Sequence, residues 1–475
     1  MNRVSRNLFL DGLLGMAVGD ALGVPFEACT REYLKNMPVV GMVGYREHNQ
    51  PEGSWSDDTS MALCSADSLC RGFDPYDMMK RFIEWKDHRQ YTAADMVFDI
   101  GVTTRRALDK FKEGAEPEMC GRRDEGGNGN GGLMRMYPVS LWCAVSMNGK
   151  SDDADMLALV HTSSALTHAH ERGLVCCGIY TLFVCEWLVR NDTDTPLTVA
   201  KRAFDRAKVV YSQVGGAYKM EMDKPGLFIH PDELSKLPEE SISSGGYVVD
   251  TLHAAFWCLL TTGSYSECVL KAVNLGDDTD TTAAVAGSLA GLVYGAESIP
   301  VQWLEALKNR RLIEDIAARL DEKVCGPRKI DSFTGRNAHM ALKAGTGMTI
   351  DGVEYKNAYA AYLALMTLPE YRDQFSGLNA HQARRLFKQL PTQEEASEEE
   401  ALYTACMTKY SQNSELREML LETGDMDIIY DTTGAHDNHM GRCRCRKCAG
   451  EQYGNLLGRT LMRVRRALRN TEAGE

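Results

Sequence analysis

Gly276-Asp277-Asp278-Thr279-Asp280-Thr281-Thr282 runs without a break into Ala283-Ala284-Val285-Ala286-Gly287-Ser288-Leu289-Ala290-Gly291. The second half is small and apolar, which predicts a tightly packed, buried helix. The first half sets three carboxylates and three hydroxyls at the head of that helix. A helix N-terminus favours one or two acids and a capping threonine. Three acids ahead of a buried helix exceed that need, because a buried carboxylate requires a partner. Carboxylate and hydroxyl oxygens suit a hard divalent cation such as magnesium, manganese or calcium. Taken alone, the stretch also reads as a satisfied helix cap.

The same grammar occurs far upstream. Gly53-Ser54-Trp55-Ser56-Asp57-Asp58-Thr59-Ser60 opens the apolar run Met61-Ala62-Leu63-Cys64-Ser65-Ala66. Two such openings favour one shared site over two separate caps. Together they supply oxygens for two octahedral ions.

Composition sets outer bounds. A chain of 475 residues with 44% hydrophobic and 25% charged residues reads as two or three ordinary globular domains. The net charge of -13 argues against general binding of a phosphate backbone. The 15 cysteines are scattered rather than framed for disulfides, which fits a reducing cytoplasm. The apolar N-terminal stretch from Leu8 to Phe26 is interrupted by Asp11 and Asp20, so no signal peptide or membrane span is expected.

In chain order, Leu8–Leu22 has helical spacing and ends in the turn Gly19-Asp20-Ala21-Leu22-Gly23-Val24-Pro25-Phe26-Glu27. Without other information Glu27 is a solvated loop acid. Pro75 to Gly114 reads as helical, broken at Asp99-Ile100-Gly101. Gly126-Gly127-Asn128-Gly129-Asn130-Gly131-Gly132 cannot hold a regular element; it is either a flexible linker or a loop that a ligand phosphate approaches closely. Walker and dinucleotide fingerprints are absent. His161, His168 and His170 lack neighbouring acids or cysteines at zinc spacing. Gly215 to Gly245 reads as a long excursion before the helix that begins near Tyr247. To about Lys323 the chain carries no convincing strand, which predicts an all-α domain over 1–327.

A smaller α+β domain is expected over 328–475. Asp351-Gly352 marks a hairpin. Helices are expected at 359–366, 380–390 and 402–421, with an acidic linker or helix start at 394–400. A last helix carries Leu457, Leu461, Val464 and Leu468 on one face. Its other face, with Arg459, Arg463, Arg466 and Arg469, reads as solvated. Before it lies His436-Asp437-Asn438-His439-Met440-Gly441-Arg442-Cys443-Arg444-Cys445-Arg446-Lys447-Cys448. A structural zinc on Cys443, Cys445, Cys448 and one histidine is one reading; a reduced, exposed loop is the other, since the cysteine spacing is tighter than in common zinc fingers.

The first domain resembles the ADP-ribosylglycohydrolase family over about Leu8–Lys323. The carrying motifs are Gly19-Asp20-Ala21-Leu22-Gly23 with Glu27, Ser56-Asp57-Asp58-Thr59, Gly129-Asn130-Gly131-Gly132-Leu133-Met134-Arg135, Thr167-His168, Gly246-Tyr247-Val248 and Gly276-Asp277-Asp278-Thr279-Asp280-Thr281. The resemblance implies an all-α fold with two magnesium ions, manganese being an alternative. It implies metal ligands Ser56, Asp57, Asp58, Asp278, Asp280 and Thr281, with Asp277 standing behind them. It implies substrate contacts from Gly129, Asn130, Gly131, Gly132, Met134, His168, Gly246 and Tyr247. Glu27, Asp58 and Asp99 carry the implied catalytic roles, which turns Glu27 from a loop acid into a site residue.

The second domain resembles the NADAR family over about Asp331–Asn470. The carrying residues are Ile350-Asp351-Gly352-Val353-Glu354-Tyr355, Lys409-Tyr410-Ser411-Gln412-Asn413, Leu416 to Gly424, His436-Asp437-Asn438 and Asn455-Leu456-Leu457-Gly458. The family's Glu-His pair falls at Tyr359-Ala360 and its Trp at Met440, while Lys409 and Asp437 remain. An ADP-ribose-related binding module or a weakened hydrolase is the resulting expectation.

The whole chain therefore reads as a magnesium-dependent hydrolase of the glycosidic bond joining ADP-ribose to a protein side chain, nucleobase or small acceptor. A non-catalytic binder of ADP-ribose or NAD-derived ligands is the alternative, and a calcium-regulated scaffold a weaker third. Acceptor linkage and oligomeric state are not encoded in these motifs.

Overall fold

The Gly276 stretch forms the expected helix, Thr279–Tyr294, buried at every position through Leu292. Its partner is the N-terminal helix Leu8–Gly23, itself almost wholly buried. Small residues let the two backbones touch. A Cβ on Gly15 would lie 2.3 Å from the carbonyl oxygen of Gly287, and a Cβ on Gly19 would lie 2.1 Å from that of Ala283. Any larger side chain at this crossing would hold the helices apart, so the glycines fix the separation of Asp20 on one helix from Asp280 on the other.

The computed structural model describes residues 6–147, 152–326, 329–393, 396–424, 426–445, 447–448 and 454–472. Pro327 at the expected joint, Glu394 at the head of the expected acidic linker and Arg446 of the cysteine loop lie outside them. The chain divides into two compact units, Arg6–Gly326 and Pro327–Glu475.

In the first unit, the helix Asp57–Leu69 packs against Pro75–His88, Tyr137–Ser146 and Arg310–Cys325. The long helices Glu171–Val189 and Pro196–Val214 complete one side, and Val248–Leu260 lies on Thr279–Tyr294. Among the described residues this unit holds isolated bridges, Arg122 with His168 and Gly129 with Tyr247, but no strand. Leu8–Phe26 and Glu171–Val189 are long and apolar enough to cross a membrane, yet 89% and 78% of their apolar windows are buried inside this fold.

One expectation fails here. The helical reading of Pro75 to Gly114 holds only to His88 and again from Val102 to Lys112. Between them the backbone takes left-handed conformations at Arg89, Tyr91, Asp95 and Asp99. Contacts distant in sequence hold it there: Trp55 Nε1 donates to Tyr91 O at 3.3 Å and Asn309 Nδ2 to Thr92 O at 3.0 Å. The 215–245 excursion is also partly helical, at Gly216–Met222 and Pro231–Leu234.

The second unit has its own core, built around Ala358–Leu365, Glu398–Ser411 and Leu456–Glu472. The hairpin pairs Met348–Ile350 with Val353–Tyr355, and both turn residues, Asp351 and Gly352, have positive φ (50° and 82°). That is the turn for which Asp-Gly is suited. A short parallel pair joins Lys329–Ile330 to Asp427–Ile428. The helix expected over 402–421 is two helices, broken after Ser411. Gln412 leaves the first to bond the main chain of Thr349 through both its side-chain atoms at 2.8 Å. On the last helix, Arg459 and Arg463 pair with Glu399 and Glu400 at exposed positions.

Candidate active site

The two acid-rich helix starts meet. Ser56 caps the helix Asp57–Leu69, its Oγ accepting from Asp58 N at 3.2 Å. Asp58 and Asp280 are fully buried and Asp57 nearly so. A carboxylate oxygen from each of Asp20, Asp58 and Asp280 lies within 4.8 Å of the others. Among the described residues, Asp58 Oδ1 and Asp280 Oδ2 find no hydrogen-bond partner. Asp278 sits at the N-terminus of its helix, where Oδ2 accepts from Asn130 Nδ2 at 2.7 Å. Thr281, also buried, is on the first turn of the same helix.

Asp20 was not among the residues singled out for a role, and it organises the site. Its carboxylate accepts from Ser56 N (2.9 Å), Thr59 N (3.1 Å) and Thr59 Oγ1 (2.6 Å). It thereby ties the N-terminal helix to the cap of the Asp57 helix. The available signal was an acid inside a run that is otherwise apolar, which calls for a buried partner.

The electrostatics follow from crowding acids in a dry space. Burial first, then neighbouring carboxylates, push Asp57, Asp58 and Asp280 well above the usual acid range. Asp57 feels Asp278 across the site as well as Asp99 and Asp20. Burial lifts Asp20 to about 6 despite its hydrogen bonds, and Asp99 to about 7. Burial also raises Asp278, against the pull of Asn130. The leading influences on Asp57, Asp58 and Asp280 are burial and other carboxylates rather than basic side chains. Unpartnered buried oxygens beside several carboxylates fit bound divalent cations, whose hard oxygen-ligand preference this donor set matches.

A second group stands at the rim. Glu27, His48, Asp99 and Asp280 bring one ligand-type atom each within 4.8 Å. Glu27 is partly exposed and hydrogen-bonds His48 Nε2. That bond raises the basicity of His48, more than burial lowers it. The His48 ring packs on Phe98 at 5.1 Å. His48 lies in an aperiodic stretch that carried no sequence signal. Asp99 is held here by a left-handed backbone, φ 60°. Asp277 is exposed, and acts through its main chain: its N–H donates to Cys29 O at 2.8 Å and its carbonyl accepts from Ala28 N at 2.7 Å. It thus holds the Glu27 turn against the Asp278 helix.

The glycine loop lies on the other side. Asn130 reaches Asp278 with its side chain and donates its N–H to Gly246 O at 3.1 Å. Gly246 itself is close to Asp278, 3.3 Å from a Cβ placed on it to Oδ2. His168 is buried beneath the loop. A Cβ on Gly131 would fall 2.6 Å from its ring, and one on Gly129 3.3 Å from its Nε2. Burial and the nearby Arg135 push His168 down to about 3, so the ring is neutral and accepts or donates at Thr167 Oγ1, 2.9 Å away. Arg135, fully buried, donates to Ser163 O at 3.0 Å and Thr167 Oγ1 at 2.9 Å, fixing the turn that carries His168. Met134 is buried behind the loop. Tyr247 is half-buried and faces the Arg172 guanidinium, 6.0 Å from its ring centre.

Residues 1–329 match the ADP-ribosylglycohydrolase family and 341–469 the NADAR domain. The chain belongs to the ADP-ribosylglycohydrolase family. An ADP-ribosylarginine hydrolase Tri1 of Serratia proteamaculans is 31% identical over 311 residues, 65% of this chain and 77% of the relative. The ADP-ribosylhydrolase ARH3 of Danio rerio is 26% identical over 370 residues, 70% of this chain and 94% of its own. A solved structure described as an ADP-ribosylglycohydrolase-related protein complex has 32% identity and a TM-score of 0.54, covering 68% of this chain and all of that one. The first unit of this ADP-ribosylglycohydrolase is thus a hydrolase of glycosyl bonds, followed by a NADAR domain.

In the NADAR domain Lys409 is buried and donates to the carbonyls of His339 and Ala341. Burial brings its ammonium down to about 8. Asp437 Oδ1 accepts from His439 N and Met440 N at 2.9 and 3.0 Å, bracing its loop. Tyr359, where the resemblance places an acid, lies under Lys343, 5.4 Å from Nζ to its ring centre.

Proposed function

We propose that the first unit removes ADP-ribose from a modified acceptor by a reaction that depends on divalent cations, magnesium first and manganese as a substitute. The observation that carries this is the convergence of Asp20, Asp58 and Asp280, with two buried oxygens left unpartnered. Ser56, Asp57, Asp58, Asp278, Asp280 and Thr281 would hold the ions, with Asp20 orienting Ser56 and Thr59. Two cations bound by these residues would supply Lewis-acid charge for orienting a ribose and activating a water.

Cleavage at the anomeric carbon passes through an oxocarbenium-like state. Glu27, partly exposed and hydrogen-bonded to His48, is placed at the rim to hold a proton during water attack and return it to the leaving group. Asp99, lifted to about 7 by burial, stands at the same rim as a further group that can exchange a proton near neutral pH. The glycines of 129–132 leave room for a diphosphate against the backbone, with Tyr247 beside them. The relatives' names make arginine-linked ADP-ribose the first acceptor to test. The NADAR domain serves as an ADP-ribose-related binding module that selects the target, and the free thiols suit a cytoplasmic site of action.

The experiment is release of free ADP-ribose from arginine-, serine- and nucleobase-linked substrates, with and without chelator. Magnesium-dependent release on at least one linkage is expected. Release that ignores the chelator, or none on any linkage, would refute the proposal. Tight ADP-ribose binding by calorimetry beside zero turnover would support the binding-protein alternative.

A further inference from the structure

The NADAR domain holds a second constellation that the hydrolase chemistry does not use. After the strand pair, the chain turns at Thr432–His436 and comes back beside itself. Thr432 N donates to Arg442 O at 3.1 Å and Arg442 N to Tyr430 O at 2.8 Å. Cys443 N then donates to Asn438 Oδ1 at 2.8 Å, and Cys448 N to Cys445 O at 3.2 Å. This folding brings His436 and three cysteines to one point.

His436 Nδ1 lies 3.6 Å from Cys443 Sγ, 3.2 Å from Cys445 Sγ and 3.8 Å from Cys448 Sγ. All four donor atoms are within 4.8 Å of one another. Three thiols cannot share one imidazole lone pair as hydrogen-bond donors, because Nδ1 accepts a single proton. A single cation at the centre satisfies all four. For zinc–sulfur and zinc–nitrogen bonds in a tetrahedron, the nitrogen–sulfur edge is about 3.6 Å. The three edges in this structure scatter around that value. His436 is placed by a left-handed backbone, φ 53°, which a non-glycine residue adopts at a cost. His439 is engaged elsewhere, its Nε2 lying 2.8 Å from Glu398 Oε2.

We propose that Cys443, Cys445, Cys448 and His436 bind one structural zinc ion. Three soft thiolates with one imidazole in a closed tetrahedron select zinc among common divalent metals. Three thiolates on one divalent ion leave a net charge of -1, and Arg442, Arg444 and Lys447 adjoin the ligands in sequence. The ion's work is to fix the segment 438–440. The carbonyls of Asn438, His439 and Met440 accept from Gly454, Leu456 and Leu457 N at 2.6, 3.1 and 3.1 Å. They thereby cap the first turn of the last helix, Leu456–Glu472, whose apolar face closes the NADAR core. The metal pins the cap, and the cap seats the helix. This inference rests on the second unit alone and is independent of the hydrolase reading.

The test is metal analysis of the full-length chain, expressed in zinc-replete medium and dialysed without chelator. One zinc per chain is expected in the wild type and essentially none in Cys445→Ser/Cys448→Ser. His436→Cys, which converts the set to four thiolates, retains one zinc, whereas His436→Ala weakens binding by at least tenfold. Cobalt loaded in place of zinc gives the intense visible absorption of a tetrahedral thiolate site. Zinc-free wild type, or full zinc in the double variant, overturns the proposal. So does His436→Ala with undiminished affinity.

Discussion

Replacing Gly19 with alanine should disable the site without touching a single candidate ligand. The added Cβ would sit 2.1 Å from the carbonyl oxygen of Ala283. Close carbon–oxygen contacts are about 3.3 Å, so the two helices must part by about 1 Å. The obstacle is backbone rather than a flexible side chain, and it cannot rotate away. Overpacking of a core by one methyl costs about 1–3 kcal/mol, and this crossing belongs at the upper end. For a domain of this size that is a fall of about 5 °C in melting temperature. The functional loss is larger. Asp20 is the next residue on the displaced helix, and it bonds Ser56 and Thr59 while facing Asp280. A shift of about 1 Å in such a constellation lowers turnover by about 100-fold. The assay pairs thermal melting with magnesium-dependent ADP-ribose release. Wild-type turnover and melting in Gly19→Ala would refute the claim that this backbone crossing sets the geometry of the acids.

Three further outcomes follow from the same geometry. Asp20→Asn should weaken magnesium binding about 10- to 100-fold by calorimetry, since outer partners orient the ligands; unchanged affinity would remove Asp20 from the site. Glu27→Gln should lower kcat by about 100- to 10,000-fold with little change in KM, while His48→Ala shifts the pH profile of kcat; full activity in Glu27→Gln would move the proton role to Asp99. The third concerns pH. Asp20 and Asp99 are raised to about 6 and about 7, and Asp57, Asp58 and Asp280 also rise. These five acids outweigh the opposing buried, neutral His161, His168 and His253, so the folded metal-free state binds more protons than the unfolded chain. Its stability therefore falls as pH climbs from about 4 to about 7, and magnesium, replacing those protons, stabilises more at the upper end. Melting curves in chelator and in magnesium at either end of that window check this. A metal-free melting temperature that climbs with pH would count against it.

Much of this arrangement was legible in the sequence, and the omissions have physical causes. The Gly276 stretch showed itself because local rules cap a helix with one or two acids, not three, and the Asp57-Asp58 stretch because it repeats the same grammar upstream. The hairpin at Asp351-Gly352 was readable because two successive positive φ values demand those residues. Asp20 escaped because its meaning lies in donors from Ser56 and Thr59, on another helix. His48 escaped because an aperiodic segment gives no orientation until Glu27 is seen beside it. The break at Asp99-Ile100-Gly101 was expected, but the stretch Arg89–Phe98 was misread as helix because its left-handed turns are imposed by Trp55 and Asn309, far away in the chain. The break after Ser411 is of the same kind, since Gln412 leaves its helix to pair with Thr349. The choice of His436 over His439 likewise needed the folded loop.

The central claim is that the helix starts at Asp57 and Thr279 close over a pair of cations. Anomalous diffraction from crystals of the full chain grown with manganese tests it most directly. The account predicts two peaks about 4 Å apart, ligated by Asp57 and Asp58 on one side and Asp278 and Asp280 on the other. Crystals with manganese in the solvent and no peak between those four carboxylates would contradict it.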